Sequence, residues 1–189
     1  MAVSMHRGRE MVGLDNSWTL DDVLALPEDQ TTGQRVELVD GALLVSPWPR
    51  VGHQRMLSTL QRQLHPVVPS VLEMLPGVNI VLGHRGDRLV APDLVISRDP
   101  GFDGVYLTED QVFLVCEIES RSTKLKDRTL KRALYAEGRI PYYLLVDPAE
   151  EPAAATMFAL SGEDYEPIAK SEGGRLELTR PFTAGIDLA

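Results

Sequence analysis

The segment at residues 112–147 constrains the fold of this chain more than any other. An apolar run at 112–120 is followed by a helical pattern at 124–138 and by a second apolar run at 141–147. Runs that are apolar throughout are typical of strands buried on both faces, and Gly138 suits the C-terminal cap of the helix between them. A strand, a helix and a strand in this order form a βαβ unit with a right-handed crossover, whose strands pair in parallel or lie close together. The segment therefore predicts an α/β (mixed α+β) fold, a mixed β-sheet flanked by helices.

Short patterns predict the elements before this unit. Thr19 and Asp22 have the spacing of a capping box, and the short helix that they begin should end by Pro27. Two β-rich runs at 36–45 meet at Asp40-Gly41, a strong hairpin signal.

From Gly52 the apolar spacing is helical, and this helix should stop near Pro66 or Pro69. The remaining strands are expected at 71–82, at 88–97 and, as short antiparallel strands, from Thr156 onward.

Length and composition are those of one globular domain. The chain has 189 residues, of which 43% are hydrophobic and 25% charged, enough for one core and too few for two comfortable domains. We expect residues 17–189 to form that domain and residues 1–16 to be a mobile N-terminal extension. The single Cys116 excludes a disulfide framework. The apolar runs are too short to span a membrane, and residues 1–16 lack the core of a signal peptide, so we expect a cytoplasmic protein.

Four carboxylates fall on apolar predicted strands, where such groups are unusual. Asp93 lies near the middle of the strand at 88–97, and Glu37 lies within the hairpin. Glu117 and Glu119 point to one face of their strand, because side chains at positions i and i+2 share a face. A buried carboxylate needs a cation or a hydrogen-bond donor, so these acids indicate a site rather than a plain core.

The next helix supplies groups that would balance these acids. Lys131 and Tyr135 are four residues apart and face the same side of it. Acids from neighbouring strands with a lysine from the following helix are typical of a Mg²⁺ site that cuts a phosphodiester, because Mg²⁺ takes one or two carboxylates and leaves room for water and phosphate. His53 lies on the apolar side of the earlier helix, where a hydrogen-bonded structural role is the commoner one.

Each of these residues also has a structural interpretation, which the sequence leaves open. Glu37 would suit the surface of an edge strand, and Asp93 the cap of a turn. Glu119 would suit a solvent-facing strand end, and Lys131 an exposed position on its helix. It is less favoured that all four of these residues have only such structural roles.

Charge is unevenly distributed along the chain. The net charge of −9 argues against a general nucleic-acid coat protein, which would be basic. A basic run directly after the acids indicates either a nucleic-acid-binding surface or a solvated helix face. The run contains Arg121, Lys124, Lys126, Arg128, Lys131 and Arg132.

Several of these segments, in the same order, resemble one protein family. The segments are Val36-Glu37-Leu38-Val39-Asp40-Gly41, Gly52-His53-Gln54, Pro92-Asp93-Leu94-Val95, Val115-Cys116-Glu117-Ile118-Glu119-Ser120-Arg121-Ser122-Thr123, Asp127-Arg128, Lys131-Arg132-Ala133-Leu134-Tyr135-Ala136 and Ile140-Pro141-Tyr142-Tyr143-Leu144-Leu145-Val146-Asp147-Pro148. Together they resemble the Uma-two family of restriction endonucleases, a bacterial group within the PD-(D/E)XK nuclease superfamily, over roughly residues 18–150.

The resemblance implies a restriction-endonuclease-like core with a divalent metal, Mg²⁺ or Mn²⁺. Asp93 and Glu117 would hold the metal, the main-chain carbonyl of Ile118 would add a ligand, and Glu37 would be a further acid. These four residues, with Lys131, are the catalytic and metal-binding candidates.

The chain departs from the superfamily pattern at Glu119, which stands where a lysine is usual. The resemblance implies that Lys131 from the following helix is its spatial substitute. Glu119, Tyr135 and His53 are the candidates for positioning the reacting groups.

The sequence thus predicts a Mg²⁺-dependent endonuclease acting on nucleic acid, with DNA as the favoured substrate and the basic run Arg121, Lys124, Lys126, Arg128 and Arg132 as its backbone contacts. The alternative is a catalytically inactive nuclease fold that acts in nucleic-acid binding or regulation. A structural or protein-interaction domain is a third interpretation. A homodimer is expected under each of them.

Overall fold

A computed structural model describes residues 17–26, 35–47, 49–83, 87–119 and 127–188, with the backbone alone at 127 and 128. The predicted mobile extension at residues 1–16 lies outside this part of the chain.

The predictions for the N-terminal elements are confirmed. Helix α1 (Leu20–Leu24) begins with the predicted capping box of Thr19 and Asp22. Strands β1 (Arg35–Val39) and β2 (Ala42–Ser46) form the antiparallel hairpin. Its turn residues Asp40 and Gly41 have φ angles of 49° and 83°, the left-handed conformation that a tight hairpin turn requires.

Helix α2 (Val51–Leu64) is also confirmed, and it ends before Pro66. Its buried face consists of Met56, Leu57, Leu60 and Leu64, so the helical apolar spacing predicted from Gly52 is confirmed.

The strands predicted at 71–82 and 88–97 are wrong in one respect, because each is divided into two. The first segment forms β3 (Glu73–Pro76) and β4 (Ile80–Leu82). The second forms β5 (Arg88–Val90) and β6 (Leu94–Ser97).

The two halves of each predicted strand belong to different sheets. The first sheet has the order β2-β1-β5-β4-β7, where β7 is Leu107–Thr108, whereas β3 and β6 pair with each other in a second sheet. The chain crosses between the sheets at Gly77, which has a φ of 65°, and at Pro92-Asp93, where the proline has no amide to donate to a ladder. Asp93 therefore lies at a bend between two sheets, not in the middle of a strand.

The predicted βαβ unit is confirmed in the second sheet. Strand β8 (Val112–Ile118) pairs in parallel with β9 (Tyr142–Asp147). Between them the structure describes a π-helical turn (Asp127–Lys131) and α3 (Arg132–Glu137), which Gly138 caps. The predicted start of this helix at Lys124 lies outside the described residues.

The antiparallel tail is confirmed as well. Strands β10 (Ala154–Ser161) and β11 (Asp164–Lys170) extend the second sheet, which has the order β11-β10-β9-β8-β6-β3. Strands β12 (Arg175–Leu178) and β13 (Ala184–Asp187) pair with each other.

The core lies on both faces of the second sheet. Leu114, Cys116 and Ile118 of β8 pack with the apolar face of α2. The alternate residue Val115 packs with α3, through Tyr135. Glu117 and Glu119 lie on this second face, because alternate residues of a strand share a face. None of the helices described is long and apolar enough to cross a membrane.

Candidate active site

Asp93 is held where the chain crosses between the two sheets. Its side chain is only 2% exposed, and its Oδ2 accepts hydrogen bonds from the Ile118 amide at 2.7 Å and from Nε2 of His53 at 3.0 Å. Strands β6 and β8 are antiparallel, and Leu94 lies opposite Cys116. Asp93, the residue before Leu94, therefore lies opposite Glu117, the residue after Cys116. The two predicted metal ligands are therefore neighbours.

Arg35 contacts the other oxygen of Asp93 and was missed in the sequence analysis. Its guanidinium nitrogen Nη1 lies 2.7 Å from Oδ1 of Asp93 and donates a 3.2 Å hydrogen bond to the Ala91 carbonyl. The signal was present, because Arg35 precedes Glu37 by two residues on β1 and so shares its face.

The surrounding charges keep Asp93 ionised. Burial works to raise the pKa of this carboxyl, but the hydrogen bond from His53 and the positive charge of Arg35 outweigh burial, so the pKa is lowered. Burial likewise works to lower the pKa of Arg35, and the Asp93 carboxylate overcomes it, so that pKa is raised.

Lys131 joins the other two predicted acids. Its Nζ lies 2.8 Å from Oε1 of Glu37 and 2.9 Å from Oε1 of Glu117. All three side chains are nearly buried, at 6%, 3% and 2% exposure. Glu37 also accepts a 3.1 Å hydrogen bond from the Ala91 amide. The structure thus excludes the exposed alternatives for Glu37 and Lys131.

Tyr135 completes this group from the next turn of the helix. Its hydroxyl donates to Oε1 of Glu117 at 2.5 Å, the oxygen that Lys131 also contacts. Burial, reinforced by the negative charge of Glu117, raises the pKa of Tyr135 well above its usual value. The phenol therefore stays protonated and remains a donor to the carboxylate.

Glu119 lies directly after β8 and is buried at 3% exposure, so the solvent-facing alternative is excluded for it too. Its amide donates a 2.7 Å hydrogen bond to the Val146 carbonyl of β9. The parallel register places Ile118 beside Val146, and Glu119 follows beside Asp147, which is also buried.

The predicted nucleic-acid contacts are only partly described. Arg121, Lys124 and Lys126 lie outside the described residues, as does the side chain of Arg128. Arg132 is described, and its guanidinium makes hydrogen bonds of 3.0 and 3.1 Å to Asp164 and lies 5.2 Å from the centre of the Phe158 ring. This side chain is engaged within the protein.

The residues present fit a hard divalent cation. Within the described residues, no three His, Cys, Asp or Glu side chains are grouped to hold a metal, but Mg²⁺ usually takes one or two carboxylates. Oδ1 of Asp93 is buried and accepts no hydrogen bond from the described residues. The 2.7 Å approach of Arg35 to it is a contact of charges that lacks hydrogen-bond alignment. An oxygen so placed, with Glu117 opposite, is the donor chemistry that such a cation prefers.

The fold is restriction-endonuclease-like, as predicted. It combines the two sheets, the parallel β8–β9 pair in the second of them, and buried acids where the two sheets meet. The chain belongs to the Uma2 family, described as "Putative restriction endonuclease", whose model matches residues 20–189.

A solved structure supports the fold assignment. The chain is similar to the crystal structure of a "putative nuclease belonging to DUF820" from Anabaena variabilis, with 19% identity and a TM-score of 0.55. The similarity covers 79% of this chain and 83% of the other. A comparison with curated proteins finds no match.

Proposed function

We propose that the protein is an endonuclease that hydrolyses phosphodiester bonds in nucleic acid, with DNA as substrate and Mg²⁺ or Mn²⁺ as cofactor. The observation that carries this proposal is the buried arrangement of Asp93, Glu117 and Lys131. Burying three charged groups is costly, and strongly perturbed ionisable groups cluster at functional sites. Membership of the Uma2 family supports the same reaction.

Asp93 and Glu117 would hold the metal, with the Ile118 carbonyl as a third ligand. A divalent cation bound there supplies an activated water and stabilises the negative charge that develops on the phosphate. Asp93 stays ionised although it is buried, because its partners lower its pKa, and an ionised carboxylate binds a cation without first losing a proton.

Lys131 would act on the phosphate and the attacking water. A buried ammonium 2.9 Å from Glu117 places a positive charge beside the carboxylate, close to where the phosphate must lie. A fixed cation with little water around it stabilises developing negative charge strongly. Glu37, which shares this ammonium at 2.8 Å, would hold Lys131 in place during the reaction.

Tyr135 and His53 would position the two ligands. Tyr135 fixes one oxygen of Glu117, and His53 fixes Oδ2 of Asp93. Partners of this kind orient metal ligands, and removing them costs about 10- to 100-fold in affinity or activity. Glu119 would assist directly or through a water.

The second candidate function is a nucleic-acid-binding module without catalysis. The observation that favours it is that the acids already have cations from the protein: Arg35 for Asp93, and Lys131 for Glu37 and Glu117. A site neutralised in this way is stable without a metal. Absence of metal binding would exclude the first candidate, and metal-dependent cleavage would exclude the second.

The remaining proposals concern assembly and substrate contact. We propose that residues 17–189 form one domain, that the protein works in the cytoplasm and that it forms a homodimer, which suits the cutting of two strands. Arg121, Lys124, Lys126 and Arg128 would contact the phosphate backbone, giving salt-sensitive binding. Arg132 would contribute less, because Asp164 already holds its guanidinium. Sedimentation showing only monomer at the assay concentration would contradict the dimer.

A cleavage assay tests the proposed function. Supercoiled plasmid, linear duplex DNA, single-stranded DNA and RNA are incubated with protein and Mg²⁺ or Mn²⁺. We expect cleavage by the wild type, and its loss in Asp93→Ala and Lys131→Ala. The controls Asp103→Ala and Lys170→Ala remove the same charges from exposed positions and should cut normally. Cleavage that survives Asp93→Ala would refute this site, and metal binding without cleavage of any substrate would favour the binding module.

A further inference from the structure

The two oxygens of Asp93 are held in different ways. Oδ2 accepts hydrogen bonds of 2.7 Å from the Ile118 amide and 3.0 Å from His53. One donor is main chain in the centre of the second sheet, and the other is a side chain on α2, so this oxygen is fixed by the fold. Oδ1 has neither kind of support.

Oδ1 is contacted by charge rather than by an aligned donor. It is buried and accepts no hydrogen bond from the described residues, yet the Arg35 guanidinium lies 2.7 Å away. A cation at this distance neutralises the carboxylate in the place that a bound metal ion would otherwise take.

Arg35 is anchored less firmly than the carboxylate that it contacts. Its side chain is 29% exposed, against 2% for Asp93, so it reaches the site from the solvent side. Besides this ion pair, Arg35 donates a 3.2 Å hydrogen bond to the Ala91 carbonyl. Guanidinium groups bind phosphate well, so a phosphate on the solvent side can compete with Asp93 for this arginine.

We propose that Arg35 is a latch on the metal site: it occupies Oδ1 of Asp93 until a nucleic-acid phosphate draws the guanidinium away, so that metal and nucleic acid load cooperatively. The inference rests on the proposed function, because it assumes that Asp93 is a metal ligand. Arg35 acts here through Asp93 and is a positioning residue. The arrangement would limit metal loading to molecules that already hold a substrate.

Cooperative loading has a reciprocal signature. If nucleic acid tightens metal binding, metal must tighten nucleic-acid binding by the same factor. Removing Arg35 removes the competing cation, so metal alone binds more tightly, while the gain that nucleic acid adds becomes smaller. A residue with a merely structural role would weaken metal binding when removed.

The experiment measures Mn²⁺ affinity by electron paramagnetic resonance on the full chain. Wild type, Arg35→Ala and Arg35→Gln are each titrated alone and with a phosphorothioate DNA duplex that resists cleavage. The matched control is Arg88→Ala. Arg88 lies on the neighbouring strand β5, is 21% exposed and pairs with Asp40 and Glu137, so its loss changes the net charge equally, away from Asp93. Arg35→Gln retains a hydrogen-bond donor for the Ala91 carbonyl, and it replaces Arg35→Ala in the titration if that variant does not fold.

We expect Mn²⁺ alone to bind about fivefold or more tightly to the Arg35 variants than to the wild type, and Arg88→Ala to match the wild type. The duplex should tighten Mn²⁺ binding more in the wild type than in the variants. Equal or weaker Mn²⁺ binding by both folded Arg35 variants would overturn the latch and leave the proposed function intact. Failure of every protein to bind Mn²⁺ at millimolar concentration would overturn the proposed function itself.

Discussion

The Lys131 ammonium lies 2.8 Å from Oε1 of Glu37, although the two residues come from different layers of the fold. Glu37 is on β1 of the first sheet, whereas Lys131 ends the π-helical turn before α3, which packs on the second sheet. The same ammonium contacts Glu117 on β8. One buried cation therefore joins both sheets at the site, so its removal should affect stability and chemistry together.

Lys131→Met should lower the free energy of unfolding by about 3–5 kcal/mol at pH 7, because it leaves two buried carboxylates without their shared cation. The measurement is urea unfolding followed by circular dichroism. The control Lys170→Met replaces an exposed lysine and should change stability by less than about 0.5 kcal/mol. A loss in Lys131→Met as small as that in the control would mean that the ammonium is not the main partner of the two acids.

We expect Mn²⁺ to raise the melting temperature of the wild type, and we expect Asp93→Asn to abolish that rise and to lower cleavage by at least about 100-fold. The substitution preserves the shape of the side chain and removes the charge that a cation needs. Thermal unfolding with and without Mn²⁺ gives the first result, and single-turnover cleavage gives the second. An unchanged Mn²⁺ shift would show that the metal binds elsewhere.

Tyr135→Phe should cost about 1.5–3 kcal/mol of stability, because a charged acceptor on Glu117 loses a buried donor. Cleavage should fall by about 10- to 100-fold. Tyr165→Phe is the matched control, since its buried hydroxyl donates a 2.6 Å bond to the Ile140 carbonyl in the same apolar cluster but away from the acids. It should lose stability and keep its activity per folded molecule; equal losses of activity in both variants would refute the positioning role.

Stability should depend on pH through Asp93. Its pKa is lowered in the folded protein, whereas an unfolded aspartate has a pKa of about 3.9. The ionised carboxylate therefore contributes stability that is fully present above about pH 4 and is lost as the pH falls through the lowered folded value. Urea unfolding of wild type and Asp93→Asn should show a stability difference that narrows in acid. A difference that stays constant down to pH 3 would contradict this linkage.

A substitution in the core, away from the candidate active site, tests whether loss of stability by itself lowers cleavage or metal binding. Leu60 on α2 is fully buried at 0% exposure, and Leu60→Ala should cost about 2–5 kcal/mol through the cavity that it leaves. At a temperature where the variant is still folded, its cleavage and Mn²⁺ affinity should match those of the wild type. If they fall with stability, the losses in the other variants could not be assigned to the site.

Patterns with a short range in sequence predicted their elements well. The capping box at Thr19, the turn at Asp40-Gly41 and the apolar stripe of α2 all appear as expected, because each depends on interactions between residues close in the chain. The parallel pairing of β8 and β9 was predictable for a related reason: the connecting helix leaves few other topologies.

The strands around Gly77 and Asp93 were predicted less well. Each continuous apolar run predicts one strand, whereas the chain changes sheets within it. Apolar periodicity reports burial and gives no information about which sheet buries a residue. The glycine and the proline at these points were visible, but their meaning depends on the partner strands.

The sequence by itself determined the types of element, the βαβ unit and the acids that stand out within apolar segments, because alternation and capping are local. It also carried the family resemblance. Only the tertiary structure decided that Arg35 and Lys131 divide the acids between them, one at Asp93 and the other at Glu37 and Glu117. The reason is physical: a buried charge takes its partner from whatever the packing of two sheets and a helix brings within about 3 Å, and these residues are far apart in the chain.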